Sequence, residues 1–478
     1  MSDGSELLFR PVDELARLVH DGELSARELV EVSLERIEAL DPLLNAFVDV
    51  DADTALKAAD SIAAGDPRPF AGVPLAIKTN TPVRGLTMSM GSALLAGHRP
   101  DHDAHVVRRL RAAGFVIVGM TNMPEFGILP TTEPRHTGAT RNPWDTDRTP
   151  GGSSGGSAAA IAAGMVPVAH ANDGGGSTRI PASCCGLVGL KPSRGRISRG
   201  PDAGDGFLVV DGALTRTVAE AAALLDVLTG YEVGDATWAP PPAEPFAAAA
   251  GRLPGRLRVT VAMDNVLGVP VDPECELAVR ETAERLTSLG HEVREGGPTL
   301  PGPEMLGLFT GLFGPAISVG IAFGEQLAGR PATDDEIEPL SMTIRMLADG
   351  ASSVDYLITM ARLNAFSRSM VAFFDDDCDL MLTPALAERP LFIGECTGMG
   401  ADPLADFARS GRFTPYTAPF NVTGQPAITI PVRFGKDDLP TSVQLVSRPL
   451  AENTLLQVAA QLEEAVELPA RRPPTVVA

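Results

Sequence analysis

Residues 150–192 read PGGSSGGSAAAIAAGMVPVAHANDGGGSTRIPASCCGLVGLKP and set two serines in glycine-rich loops. Ser153 stands in Gly151-Gly152-Ser153-Ser154-Gly155-Gly156, and Ser177 ends Gly174-Gly175-Gly176-Ser177. Between them, Ser157 to Ala163 has the small-residue composition of a buried helix, and Val166 to Ala169 that of a strand feeding the second loop. A hydroxyl among glycines can reach a substrate and be flanked by bare backbone N–H groups. Upstream, Gly72-Val73-Pro74-Leu75-Ala76-Ile77-Lys78 reads as a short buried strand ending on a lysine. The combination points to hydrolysis by a serine nucleophile whose base is not histidine.

Lysine usage sharpens this reading. Only Lys57, Lys78, Lys191 and Lys436 occur among 39 basic residues, so surface positive charge falls to arginine, which cannot act as a base at neutral pH. A lysine with apolar neighbours can lose its proton by burial, which needs a fall of roughly three units from ~10.4. A buried structural ion pair would also account for Lys78. An acyl-transfer serine needs a proton route, oxyanion donors and exposure; Ser177 through Ser153 to neutral Lys78 would supply the route.

The rest of the chain frames the loops. Ser25 and Glu28 have capping-box spacing before an amphipathic helix over residues 25–40. A helix from Asp103, read as its cap, to Ala113 leads into the strand Phe115 to Val118. Leu257–Met263, Glu274–Leu289 and His291–Val293 form a strand–helix–strand unit, which favours a parallel pairing. Further strands are expected at 379–382, 427–432 and 442–446, and residues 239–253 read as a loop or linker. Met305 to Gly324 carries no charge and has the length of a membrane span, but Pro315 and five glycines favour a buried, broken helix or helix pair. The expected fold is α/β, with a mixed, largely parallel central sheet flanked by helices on both faces.

Composition bounds the function. A 44% apolar content is ample for a sizeable core, and a net charge of −22 argues against binding nucleic acid. Five cysteines without framework spacing read as buried, reduced thiols, and the N-terminal residues lack a signal-peptide pattern, so a cytoplasmic protein is expected. Neither glycine loop has a GK[ST] ending or a GxGxxG pattern, which disfavours nucleotide binding. His98, His102 and His105 with Asp101 and Asp103 superficially resemble a metal cluster, but Arg99-Pro100 disfavours the helix that would gather them. No metal is expected there. His170 could be offered as a serine–histidine base, although the end of a buried strand suits a structural hydrogen bond better.

The 150–192 block closely resembles the signature block of the amidase signature family. The resemblance extends over nearly the whole chain, through GVPLAIK, AGFVIVGMTNMPEFG, PFNVTGQPAITIP (419–431) and LPTSVQLV (439–446). It implies a serine–cis-serine–lysine triad of Ser177 as nucleophile, Ser153 as bridge in a cis peptide, and Lys78 as base. It also implies oxyanion donors from Gly174, Gly175, Gly176 and Ser177, support from Ser154, Asp173 and Arg179, and no metal or organic cofactor. The segment AHANDGGGSTRIPASCCGLVGLKPSRGRIS looks most like the branch containing 6-aminohexanoate cyclic dimer hydrolase. Two departures touch the lysine: Thr79 stands where Asp is common, and Met120 where Lys is usual. The resemblance implies one domain over 1–478, with a helical part at 1–65 and a variable region near 232–350, including Trp238, that shapes specificity. The expected activity is hydrolysis of bulky amides or lactams by a monomer or homodimer without membrane partners. Carbamate or ester hydrolysis, or the A subunit of a tRNA-dependent amidotransferase, are the alternatives.

Overall fold

Eleven strands, the central ones short apolar runs, form one sheet in the computed structural model, which describes residues 4–204, 206–376, 378–466, 468 and 471–477. In chain order these are β1 (Phe47–Val50), β2 (Pro74–Lys78), β3 (Val116–Thr121), β4 (Val168–Asp173), β5 (Val188–Lys191) and β6 (Val210–Thr215). They continue with β7 (Arg258–Val261), β8 (Glu292–Glu295), β9 (Leu380–Pro384), β10 (Ala427–Phe434) and β11 (Pro440–Ser447). The spatial order is β1-β3-β2-β4-β6-β5-β10-β11-β9-β7-β8. Every residue of β2, β3, β4, β5 and β6 is buried, so packing decides their conformation more than intrinsic propensity does.

The sheet is mixed and flanked by helices, as expected, but its parallel share is smaller. β3–β2–β4 and β9–β7–β8 pair in parallel, and the six remaining pairings are antiparallel. The connections explain this. β10 and β11 are joined by a tight hairpin and β5 and β6 by a helix-free loop, whereas a parallel pair needs a longer crossover. The strand–helix–strand unit read at 257–293 is present as β7, the Pro273–Ser288 helix and β8, in parallel.

Capping sets several boundaries. Ser25 and Glu28 close a reciprocal capping box on the Ala26–Leu44 helix. Asp103 does not cap its helix: Ala104 is the N-cap, while the Asp103 carboxylate accepts from the Arg84 N–H at 2.8 Å and from Arg111 Nε at 3.0 Å. Residues 239–253 are not wholly loop, since Phe246–Ala250 is a short helix whose first N–H donates to Asp226.

The largest departure is Glu304–Ala328, a single unbroken 25-residue helix and only partly buried. Pro315 removes one backbone donor without ending the helix. Its glycines serve contact rather than breakage. A Cβ on Gly324 would sit 2.4 Å from a Leu94 methyl, and one on Gly320 would sit 3.1 Å from the Phe126 ring.

The Gly155–Ala162 helix meets the sheet at equally short range. A Cβ on Gly156 would lie 2.4 Å from the Asn122 nitrogen and 2.5 Å from the Ala46 carbonyl oxygen, backbone atoms that cannot swing aside. Gly156→Ala is therefore expected to cost roughly 1–3 kcal/mol as overpacking. A lowered thermal midpoint with native circular dichroism at 20 °C would show it, and an unchanged midpoint would contradict this packing.

Candidate active site

Lys78 ends β2 and Asp173 ends β4, neighbouring parallel strands, so the site forms at their carboxyl ends as open α/β sheets favour. Lys78 is wholly buried. Its Nζ donates to Ser153 Oγ at 2.6 Å and to Asn172 Oδ1 at 2.8 Å, both neutral acceptors. Burial lowers its pKa to about 7, against the upward pull of Asp173 and Asp211. Asn172 is held in turn by its Nδ2, which donates to Asn80 Oδ1 at 2.8 Å. The two departures near the lysine do not displace it: Thr79 Oγ1 donates to the Thr87 carbonyl, and Met120 is buried beside β2.

Ser153 follows a cis Gly152–Ser153 peptide bond. The Thr132 hydroxyl donates to the Gly151 carbonyl, and a Cβ on Gly152 would fall 2.6 Å from the Thr131 carbonyl oxygen, so this loop is packed on both sides. Ser154 joins the two serine loops: its N–H donates to the Ser177 carbonyl at 3.2 Å and its hydroxyl to the Asn172 carbonyl at 3.4 Å.

Asp173 and Arg179 form a wholly buried bidentate pair, with Nε to Oδ2 and Nη2 to Oδ1 both at 2.9 Å. Arg179 also donates to the Thr417 carbonyl, Gln444 and Asn421. Burial pushes the Asp173 pKa up, but Arg179 more than offsets this and leaves the carboxyl well below the usual range. One expectation about the loop changes. The Gly176 N–H donates to Asp173 Oδ1 at 2.7 Å and Gly176 does not face the cavity, so it is removed from the oxyanion donors. Gly174, Gly175 and Ser177 do line it.

The cavity measures about 190 Å³ and is lined by both Ser153 and Ser177. Leu267, Met305, Leu306, Phe309 and Phe313 line it too, the last four from the Glu304–Ala328 helix. Of residues 232–350, Val266, Leu267 and the start of this helix line the cavity. Trp238 does not take part: it is half-exposed and packs edge-on against Tyr231.

The histidines take separate partners. His102 lies between the Asp101 and Asp202 carboxylates, His105 contacts the Ser198 hydroxyl, and His98 packs against Phe323. His170 is buried with Nε2 3.4 Å from Asp211 and does not line the cavity. Among the described residues, the five cysteines are free thiols and buried.

Residues missed by sequence reasoning are Asn172 and Asn80 around the lysine, and Thr417, Asn421 and Gln444 around Arg179. Strand alternation offered a signal for the first, because Asn172 and Asp173 must point to opposite faces. Asn80 lies just beyond Lys78 in the chain, whereas Thr417, Asn421 and Gln444 come from segments more than two hundred residues from Arg179.

Residues 28–456 match the Amidase family, and the chain belongs to it, within the amidase signature enzymes. It is 40% identical to the 6-aminohexanoate-cyclic-dimer hydrolase of Paenarthrobacter ureafaciens, over 98% of this chain and 97% of that one. A solved structure of 6-aminohexanoate cyclic dimer hydrolase complexed with substrate superimposes with a TM-score of 0.92 at 38% identity, covering 98% and 99% of the two chains. A bacterial aryl acylamidase of the amidase signature family does so with a TM-score of 0.87 at 26% identity, covering 96% of each. The chain is a hydrolase of amide C–N bonds.

Gly176 offers a test of the loop. It has φ +130°, and a Cβ there would lie 2.3 Å from Thr417 Oγ1. Gly176→Ala must shift the loop that carries Gly174, Gly175 and Ser177, so amide turnover is expected to fall about a hundredfold, the scale of losing one oxyanion donor. Near-normal rates in a folded Gly176→Ala protein would show that the loop tolerates displacement.

Proposed function

We propose that this chain hydrolyses bulky, largely aliphatic amides, lactams among them, through an acyl-enzyme on Ser177. The observation that carries this reading is Lys78 Nζ, buried 2.6 Å from Ser153 Oγ with only neutral acceptors, beside a cavity lined by both Ser153 and Ser177. Likeness to the cyclic-dimer hydrolase supports lactams, and the aromatic and aliphatic wall supports bulk.

In this mechanism neutral Lys78 takes the Ser153 proton as Ser153 takes that of Ser177. Ser177 Oγ bonds to the substrate carbonyl carbon, and the developing oxyanion accepts from the N–H groups of Gly174, Gly175 and Ser177. Collapse breaks the C–N bond as the protons return along the relay to the leaving nitrogen. Water then adds to the acyl ester, and the same relay carries its proton until the carboxylic acid departs and Ser177 is restored. An ester or carbamate meets the same requirements, since each brings an electrophilic carbonyl and a leaving group.

Ser177→Ala is expected to retain the fold and lose at least a thousandfold in turnover of an anilide or lactam, followed by amine release. Retention of activity would remove Ser177 as nucleophile. Mass spectrometry of the wild type quenched during ester turnover is expected to find the acyl group on the peptide bearing Ser177.

The pH profile tests the base. Lys78 works only when neutral, and it loses its proton as pH rises through about 7. kcat/KM should therefore climb with pH on a limb centred near 7 and level off above it. Lys78→Arg keeps the charge but cannot deprotonate, so it should be nearly inactive across that range. An active Lys78→Arg enzyme would overturn the lysine base.

A further inference from the structure

Among the described residues lining the cavity, Arg199 is the one that carries a charge. Its side chain is about three-quarters buried, with Nε 3.4 Å from Asp211 Oδ2 and no hydrogen bond to a described residue. Asp211 is engaged from its other side, because Oδ1 faces His170 Nε2 at 3.4 Å. Asp211 pairs with Asn172 across β4 and β6, which sets the Arg199–Asp211 contact next to the residue that accepts from Lys78. Asp211 approaches the Nε edge and Nη1 stands beside Gly206, so the guanidinium donors without a hydrogen-bond partner belong to a side chain that lines the cavity. A wholly apolar substrate would strip water from those donors without replacing it, at a cost of a few kcal/mol. A carboxylate would satisfy them with paired, charge-assisted hydrogen bonds.

We propose that Arg199 is a specificity-determining residue that binds a carboxylate on the substrate. The substrate class is then an aliphatic amide with a free carboxylate several bonds from the scissile carbonyl, its methylene chain lying along Phe309 and Phe313. This rests on the amide-hydrolase reading of the same cavity.

The test compares adipic acid mono-4-nitroanilide with hexanoic acid 4-nitroanilide, which share leaving group and chain length and differ in the terminal carboxylate. The wild type is expected to favour the acid at least tenfold in kcat/KM, with the preference shrinking as salt is added. Arg199→Gln should bring that ratio close to one, chiefly through KM, and Arg199→Lys should keep part of it. A purely structural role would lower both substrates alike. A wild-type ratio at or below one, or an unchanged ratio in Arg199→Gln, would overturn the proposal. If neither anilide is hydrolysed, titration of Ser177→Ala with the adipic anilide separates the two readings. Binding that Arg199→Gln weakens tenfold would support the carboxylate site while the reaction reading falls; binding indifferent to Arg199 would overturn the site.

Discussion

The buried ion pair between Asp173 and Arg179 is the constraint on which the site's geometry depends. A bidentate carboxylate–guanidinium pair with no solvent contact is tolerable only if the remaining donors and acceptors are filled. Here they are, by the Gly176 N–H, the Asn421 amide, the Thr417 carbonyl and Gln444. These bonds also tie the 417–421 segment and Gln444 of β11 to the Gly174–Ser177 loop. The loop is positioned because the pair cannot afford an empty partner: removing one member of such a buried pair typically costs about 3–5 kcal/mol.

The same arrangement decides which buried group is charged. Lys78 and Asp173 are both fully enclosed, and both suffer burial's penalty on the ionised form. Asp173 meets a guanidinium at 2.9 Å through two oxygens and stays ionised. Lys78 meets only a hydroxyl and an amide oxygen at hydrogen-bond distance, so nothing close by repays the lost hydration of an ammonium. Arg179 thus holds Asp173 ionised while its own positive charge offsets the field that Asp173 casts on Lys78.

Local signals made much of this readable from sequence. Glycine next to serine, a lysine ending an apolar run and a capping box at Ser25 are short-range patterns, and each sits where expected. Long-range partners were not readable. Asn421 and Gln444 look like ordinary polar residues until the fold brings them to Arg179. Gly176 illustrates a subtler failure, since motif position suggested an oxyanion donor and only the Asp173 geometry shows its N–H already engaged. In the 305–324 segment, proline and glycine were read by their local propensity to break helices. Tertiary contact overrode it, with Gly320 and Gly324 admitting Phe126 and Leu94 instead.

That helix also explains how one scaffold can serve different substrates. The reactive groups stand on strand ends and loops locked by buried bonds, whereas Met305, Leu306, Phe309 and Phe313 stand on a helix that shares few polar contacts with them. Changes of side-chain size along the helix would reshape the cavity wall without disturbing the Lys78–Ser153 bond or the Asp173–Arg179 pair. The region between helix and loop is not entirely free, because a Cβ on Gly175 would come within 3.1 Å of the Phe309 ring. Phe309 is therefore where the shape of the cavity and the position of the Gly174–Ser177 loop meet. A larger residue there would press on the loop, while a smaller one would open space for a branched acyl chain.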